Sequence, residues 1–149
     1  MPIRFAVTGK AEDPNEMKNV HILIAEDEKH TRLALRLVLR QAGFNVLETC
    51  NGSEAFTKIT NHPLATCPIN LIITDIKMPS LDGLGLIDKL RESKITIPIM
   101  VITGYGDNNL MRRLQKRGCA AYIDKPFIPE EVLSRGRTVL HQQNPHALV

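Results

Sequence analysis

A chain of 149 residues is about one domain's worth at the usual ~100–200 residues per domain. Its 43% hydrophobic content is enough to fill a core, which excludes disordered, collagen-like and disulfide-stapled classes. The formal net charge of +3 is too mild for a nucleic-acid-coating protein, and it is uneven: 12 basic residues balance 12 acidic ones through Gly106, while 7 basic face 4 acidic from Asp107 to Val149.

Residues 1–19 form an N-terminal extension in which Ile3–Val7 reads as a short strand or as part of a loosely attached tail. Val20–Ala25 (VHILIA) is the first strand expected with its full apolar run. Ala34, Leu35, Val38, Leu39 and Ala42 then recur at helical spacing, and Gly43 supplies the stop. Arg32, Arg36 and Arg40 repeat every four residues on another side of that helix and are read as a solvated face. Phe44–Thr49 is the second strand and Ser53–Thr60 the second helix. A loop with two prolines, Asn61–Pro68, follows. Ile69–Thr74, Ile97–Thr103 and Ala120–Asp124 are the remaining strands, alternating with helices at Leu84–Ser93, Asp107–Arg117 (stopped by Gly118) and Pro129–His141. Gly136 costs its helix about 1 kcal/mol relative to Ala, so that end is expected to fray. Asp82-Gly83 reads as a turn in which Gly takes a positive φ, without a chemical role. Residues 142–149 are a tail. Strands alternating with helices predict βαβ units, hence an α/β fold with a doubly wound five-stranded parallel sheet and helices on both faces.

Cys50, Cys67 and Cys119 make no CxxC pair and no zinc-ligand pattern, as expected of a reduced cytoplasmic protein. Cys50 and Cys119 read as small apolar fillers and the five histidines as surface residues. No stretch approaches the ~18 apolar residues of a membrane span, and the N-terminus lacks a signal-type apolar core, so a soluble, unexported chain without membrane contact is expected.

Ligands of open parallel sheets bind beyond the carboxyl ends of the strands. Here the first strand ends in Glu26-Asp27-Glu28, the third in Asp75, the fourth in Thr103-Gly104 and the fifth in Asp124-Lys125-Pro126. Carboxylates gathered within ~4–6 Å resist ionising together unless a cation compensates them. Oxygen ligands of this kind favour Mg²⁺, which keeps several waters and completes its shell with phosphate oxygens. A carboxylate in such a site is a nucleophile toward phosphorus, and phosphoryl transfer needs a cation such as Lys125 and a hydroxyl such as Thr103 around the equatorial oxygens.

These residues, in the segments ILIAEDE (22–28), LIITDIKMPSLDGL (71–84), IMVITGYGD (99–107) and AAYIDKPF (120–127), resemble the receiver domain of the two-component response-regulator family, including the chemotaxis regulators, over roughly residues 20–141. The resemblance implies the flavodoxin-like strand order 2-1-3-4-5. It implies that Asp75 is the phospho-acceptor, that Glu26 and Asp27 with Asp75 and the backbone carbonyl of Lys77 hold Mg²⁺, and that Lys125 pairs with a phosphoryl oxygen. Thr103 matches the switch hydroxyl and Tyr122 the aromatic whose rotamer follows it, and the Lys125–Pro126 bond is expected to be cis. Glu26 replaces the commoner Asp, its extra methylene favouring a water-mediated metal contact. Lys77 and Tyr105 stand where family members vary in phosphate lifetime. Ile128 stands where an Asp often caps the last helix, at a cost of about 1 kcal/mol.

The function implied is a phosphorylation-activated switch rather than a metabolic enzyme, catalysing only its own phosphorylation and dephosphorylation. Asp75 takes its phosphoryl group from the phosphohistidine of a sensor histidine kinase or phosphotransfer protein, and the surface of the fourth helix, fifth strand and fifth helix controls a protein partner. The chain ends soon after the fifth helix, which suggests a stand-alone receiver with no direct nucleic-acid binding. The alternative is the receiver portion of a longer transcriptional regulator or hybrid histidine kinase. Arg112, Arg113, Lys116, Arg117, Arg135 and Arg137 lie on the last two helices, favouring an acidic protein partner or a phosphorylation-dependent, charge-paired homodimer. A flavodoxin-like FMN-binding protein is the distant alternative, disfavoured because Glu26-Asp27-Glu28 would repel its phosphate. A phosphate-ester hydrolase with an aspartyl nucleophile is also a poor fit, since the second acid it needs is Lys77 here.

Overall fold

A computed structural model describes residues 19–143, so the N-terminal strand or tail and the last six residues lie outside the described residues. The strands are β1 (His21–Ala25), β2 (Asn45–Thr49), β3 (Leu71–Thr74), β4 (Ile99–Thr103) and β5 (Ala121–Asp124). The helices are α1 (Lys29–Gln41), α2 (Gly52–Thr60), α3 (Gly83–Glu92), α4 (Asn108–Lys116) and α5 (Pro129–Gln143). All strand pairs are parallel, in the order β2-β1-β3-β4-β5 expected from the resemblance.

The apolar runs are continuous because the central strands are covered on both faces. Alternation within each run decides which layer a residue joins. Ile22, Ile24, Leu71, Ile73, Met100 and Ile102 pack with Leu35 and Leu39 of α1 and Val132, Val139 and Leu140 of α5. Leu23, Ala25, Ile72, Ile99 and Val101 face the other way, onto Ala55 and Ile59 of α2, Leu86 and Leu90 of α3, and Leu110 and Leu114 of α4.

The first four helices begin at a side-chain cap: Glu28 for α1, Asn51 for α2, Asp82 for α3 and Asp107 for α4. Asn51 accepts from the Glu54 N–H while Glu54 accepts from the Cys50 N–H at 2.6 Å, a reciprocal capping arrangement. Gly43 (φ 98°) and Gly118 (φ 72°) sit in the left-handed region past the ends of α1 and α4, as their stop roles require.

Several expectations need correction. Gly83 has no positive φ; the left-handed residue of that connection is Ser80 (φ 69°). Asp82 is a helix cap, its Oδ1 accepting from the Gly85 N–H at 2.8 Å. The helix does not fray at Gly136, which is buried against Leu71 while α5 runs on to Gln143. Burial of Val132, Val139 and Leu140 outweighs the propensity loss, since each buried aliphatic side chain is worth about 1.5–3 kcal/mol. Of the three arginines read as a solvated stripe on α1, Arg40 is exposed, but Arg32 and Arg36 are half-buried and both pair with Glu48 of β2. Cys50 is exposed rather than a filler, while Cys119 is half-buried, and burial pushes its thiol up to about 11. His21 and His62 are half-buried rather than at the surface.

Glu28 makes the fold sensitive to acid. Its hydrogen bonds from the Thr31 hydroxyl and N–H and the His30 N–H lower its pKa from the ordinary 4.5 to about 2. A folded-state pKa below the unfolded one means stability that is present above pH 4.5 and lost as the pH falls toward 2. The melting-temperature deficit of a Glu28→Ala variant should therefore be full at neutral pH and shrink across that window, as followed by circular dichroism.

Candidate functional site

The carboxyl ends of β1, β3, β4 and β5 share one edge of the sheet, so the segments that follow them meet there. Glu26 leaves β1 with its N–H bonded to the Thr49 carbonyl of β2 (3.1 Å), and Asp75 leaves β3 with its N–H on the Ala25 carbonyl (3.0 Å). Both side chains are buried, at 1% and 4% exposure. Two anions so placed need compensation, and the Lys125 ammonium supplies it, 2.8 Å from Glu26 Oε1 and 2.5 Å from Asp75 Oδ2. The Lys125–Pro126 peptide bond is cis.

The remaining carboxylate oxygens are held by main chain. Asp75 Oδ1 accepts from the Ile76 N–H at 2.6 Å, and Glu26 Oε2 accepts from the Glu28 N–H at 3.0 Å. Burial pushes the Glu26 carboxyl above its ordinary range, with the neighbouring Asp75 adding to the rise while Lys125 and the Glu28 N–H oppose it. Burial pulls Lys125 down, but its bonds to Asp75 and Glu26 outweigh that and leave it above its usual value, so the ammonium stays charged.

Asp27 is exposed beside this pair, and one carboxylate oxygen each from Glu26, Asp27 and Asp75 lie within 4.8 Å of one another. Among the described residues this is the only cluster of three such ligands. An all-oxygen set, open on the Asp27 side, fits a hard divalent cation and not a soft one. The Lys77 carbonyl follows Asp75 by two residues, and the Lys77 ammonium reaches across to the exposed Tyr105 ring, 4.2 Å from its centroid.

Thr103 ends β4 fully buried, its hydroxyl accepting from the Tyr105 N–H at 3.3 Å and its carbonyl from the Lys125 N–H at 3.0 Å. Tyr122 is half-buried beside the core layer of α2, α3 and α4, and its hydroxyl donates to Asp124 Oδ1 at 2.9 Å. Burial, followed by that bond, pushes its pKa up to about 12. The hydroxyl lies over Gly106, where a methyl group would overlap it. Glu26, Asp27, Asp75 and Lys125 therefore converge, Thr103 joins them through the main chain of Lys125, and Tyr122 lies to one side.

Two contributors were not legible in the motif. Glu28 is both the α1 cap and the donor to Glu26, a role its place after two other acids conceals. Gly83 lets α3 start against the end of β3: a Cβ there would stand 2.2 Å from the Asp75 carbonyl oxygen, and the Gly83 N–H bonds the Ile76 carbonyl at 2.8 Å. Backbone cannot move aside as a side-chain tip can, so Gly83→Ala should destabilise the protein by about 1–3 kcal/mol in urea unfolding. Unchanged stability would contradict this close approach.

Residues 22–137 match the family model described as the response regulator receiver domain. A probable transcriptional regulator ycf27 of Cyanidium caldarium is 33% identical over 133 residues, covering 89% of this chain and 51% of that protein. The transcriptional regulatory protein SrrA of Staphylococcus aureus is 34% identical over 134 residues, covering 85% and 53%. The chain thus spans about half the length of these curated relatives. The crystal structure of a CheY-like response regulator receiver domain protein from Methanospirillum hungatei superposes with a TM-score of 0.77 at 26% identity, covering 85% of this chain and 98% of that one. No helix among the described residues is long and apolar enough to cross a membrane. With the strand order, the acidic edge and the paired lysine in place, the chain belongs to the response regulator receiver family, a signalling domain of two-component systems rather than a metabolic enzyme.

Proposed function

We propose that Asp75 is the phospho-acceptor of this receiver and that Lys125, Thr103, Glu26 and Asp27 serve its phosphorylation. The observation that carries this reading is the Lys125 ammonium bonded at once to buried Asp75 and buried Glu26, beside exposed Asp27. A carboxylate oxygen of Asp75 attacks phosphorus as the P–N bond of a donor phosphohistidine breaks; the bonding pair stays on that nitrogen, and the donor ring, already protonated on its other nitrogen, leaves as neutral imidazole. Ile76 N–H fixes one carboxylate oxygen and so orients the other. Lys125 follows the charge onto the phosphoryl oxygens, which is the positioning and neutralisation that this chemistry needs. Glu26, Asp27 and Asp75, with the Lys77 carbonyl, would hold Mg²⁺, which supplies charge neutralisation at the phosphoryl oxygens when bound. Hydrolysis of the acyl phosphate at the same site returns the resting state.

The phosphoryl group adds about −1.5 to −2 charges and three acceptors. The Thr103 hydroxyl is a neutral donor at the end of the strand beside β3, and its movement would free space beside β4 for Tyr122 to leave Asp124. That change would alter the face of α4, β5 and α5, where Arg112, Arg113 and Lys116 are exposed, a surface suited to an acidic protein partner or a charge-paired second copy. Arg117 is already engaged, its guanidinium meeting Asp88 of α3 at 2.8 Å. A sensor histidine kinase or phosphotransfer protein is the donor on this reading. Matched relatives of about twice this length favour a second reading of the same site, in which it serves as the receiver portion of a longer transcriptional regulator.

Incubation with Mg²⁺ and acetyl phosphate should add one phosphoryl group, read by intact mass, and EDTA should prevent it. Asp75→Asn should abolish the addition, and Lys125→Met should slow it by roughly 10²-fold. Equal labelling of wild type and Asp75→Asn would refute the assignment.

A further inference from the structure

The β1–α1 connection carries two of the three clustered carboxylates, and its main chain is tied at both ends of Glu26. The Glu26 N–H is bonded to Thr49 of β2, and the Glu26 carbonyl accepts from Arg32 Nη1 at 2.8 Å. The same nitrogen reaches the Asp27 carbonyl at 3.5 Å, so one guanidinium spans the peptide between the two acids. Arg32 is itself aimed: its side chain is only 17% exposed, and its Nε faces Glu48 Oε1 of β2 at 3.7 Å. Arg36, one turn on, takes the other Glu48 oxygen at 3.0 Å but makes no bond to the loop.

We infer that Arg32 is a positioning residue for the divalent-cation site, held by Glu48 and fixing the main chain from which Glu26 and Asp27 project. The inference rests on the cation site proposed above. A guanidinium suits the task because its planar fork serves the loop carbonyl on one edge and a carboxylate on the other, which a lysine's point charge does not reproduce. The effect belongs in metal affinity rather than in folding. A partly exposed ion pair at 3.7 Å contributes little to stability. Ligand groups, by contrast, must be held to within about 0.5 Å, and loss of an outer partner typically weakens metal binding by roughly 10–100-fold.

The test is a Mg²⁺ titration of the full chain without any phosphoryl donor, followed through the amide NMR shifts of Asp27 and Ile76, alongside thermal melting in EDTA. Arg32→Met should raise the half-saturating Mg²⁺ concentration about tenfold or more while melting stays close to wild type. Arg32→Lys should recover only part of the loss, and Arg36→Met should remain within about twofold of wild type. Glu48→Gln, which leaves the guanidinium in place but loosens its anchor, should shift affinity in the same direction by less, and it carries the test should Arg32→Met fail to fold. Identical affinity in Arg32→Met and wild type would overturn the proposal, as would an equal loss in Arg36→Met, the mark of a general charge effect. Wild type without saturable Mg²⁺ binding would overturn the cation site itself and the inference with it, a separate outcome from wild-type binding that Arg32→Met leaves unchanged.

Discussion

Everything at the carboxyl edge depends on one compensation: the ammonium of Lys125 between the buried carboxylates of Glu26 and Asp75. Both acids are almost fully buried, and the charge of Asp75 adds to the cost of ionising Glu26. Removing the lysine would leave both buried carboxylates uncompensated, a loss of the kind that costs about 3–5 kcal/mol. The site therefore exists as a unit, with two strand ends and the β5–α5 connection held together by these charges.

The core that presents this edge is built on different physics. Alternating strand residues fill two separate apolar layers. What joins core to site is backbone: the Asp75 N–H on Ala25, the Glu26 N–H on Thr49, the Lys125 N–H on Thr103 and the Gly83 N–H on Ile76. Main-chain hydrogen bonding thereby sets the spacing of the chemical groups, and the side chains of Lys125, Glu26 and Asp75 supply the charge.

The architecture was legible because the run-and-period alternation is strong in this chain, and the strand order came from the resemblance. That Asp75, Lys125, Glu26 and Asp27 gather at one edge was legible because strand ends of a parallel sheet converge. What sequence could not show is long-range or three-dimensional. The Arg32–Glu48 pair joins an α1 residue to a β2 residue, and periodicity alone reads such an arginine as solvated. Gly83 read as a turn glycine because close approach to Asp75 depends on where α3 lands, not on local φ. Gly136 read as a weak point because helix propensity does not know that β3 lies against it. Glu28 read as one acid of three until its cap geometry separated it from the other two.

The glycines on the two sides of Asp75 differ in a way that bears on how a push at that residue would spread. On one side Gly83 is wedged against the Asp75 main chain and Gly52 against the Leu81 carbonyl, so β3, α2 and α3 are interlocked through contacts with no slack. On the other side residues 104–109 are all exposed, and the nearest atom to a Cβ at Gly104 would be Lys125 Cβ at 3.7 Å. Asp75 thus stands between a closely packed side and a solvent-exposed one. A displacement of Asp75 toward α3 would meet backbone at Gly83, and one toward Gly104 only ordinary van der Waals contact, so the room around Asp75 is set by where its glycines stand.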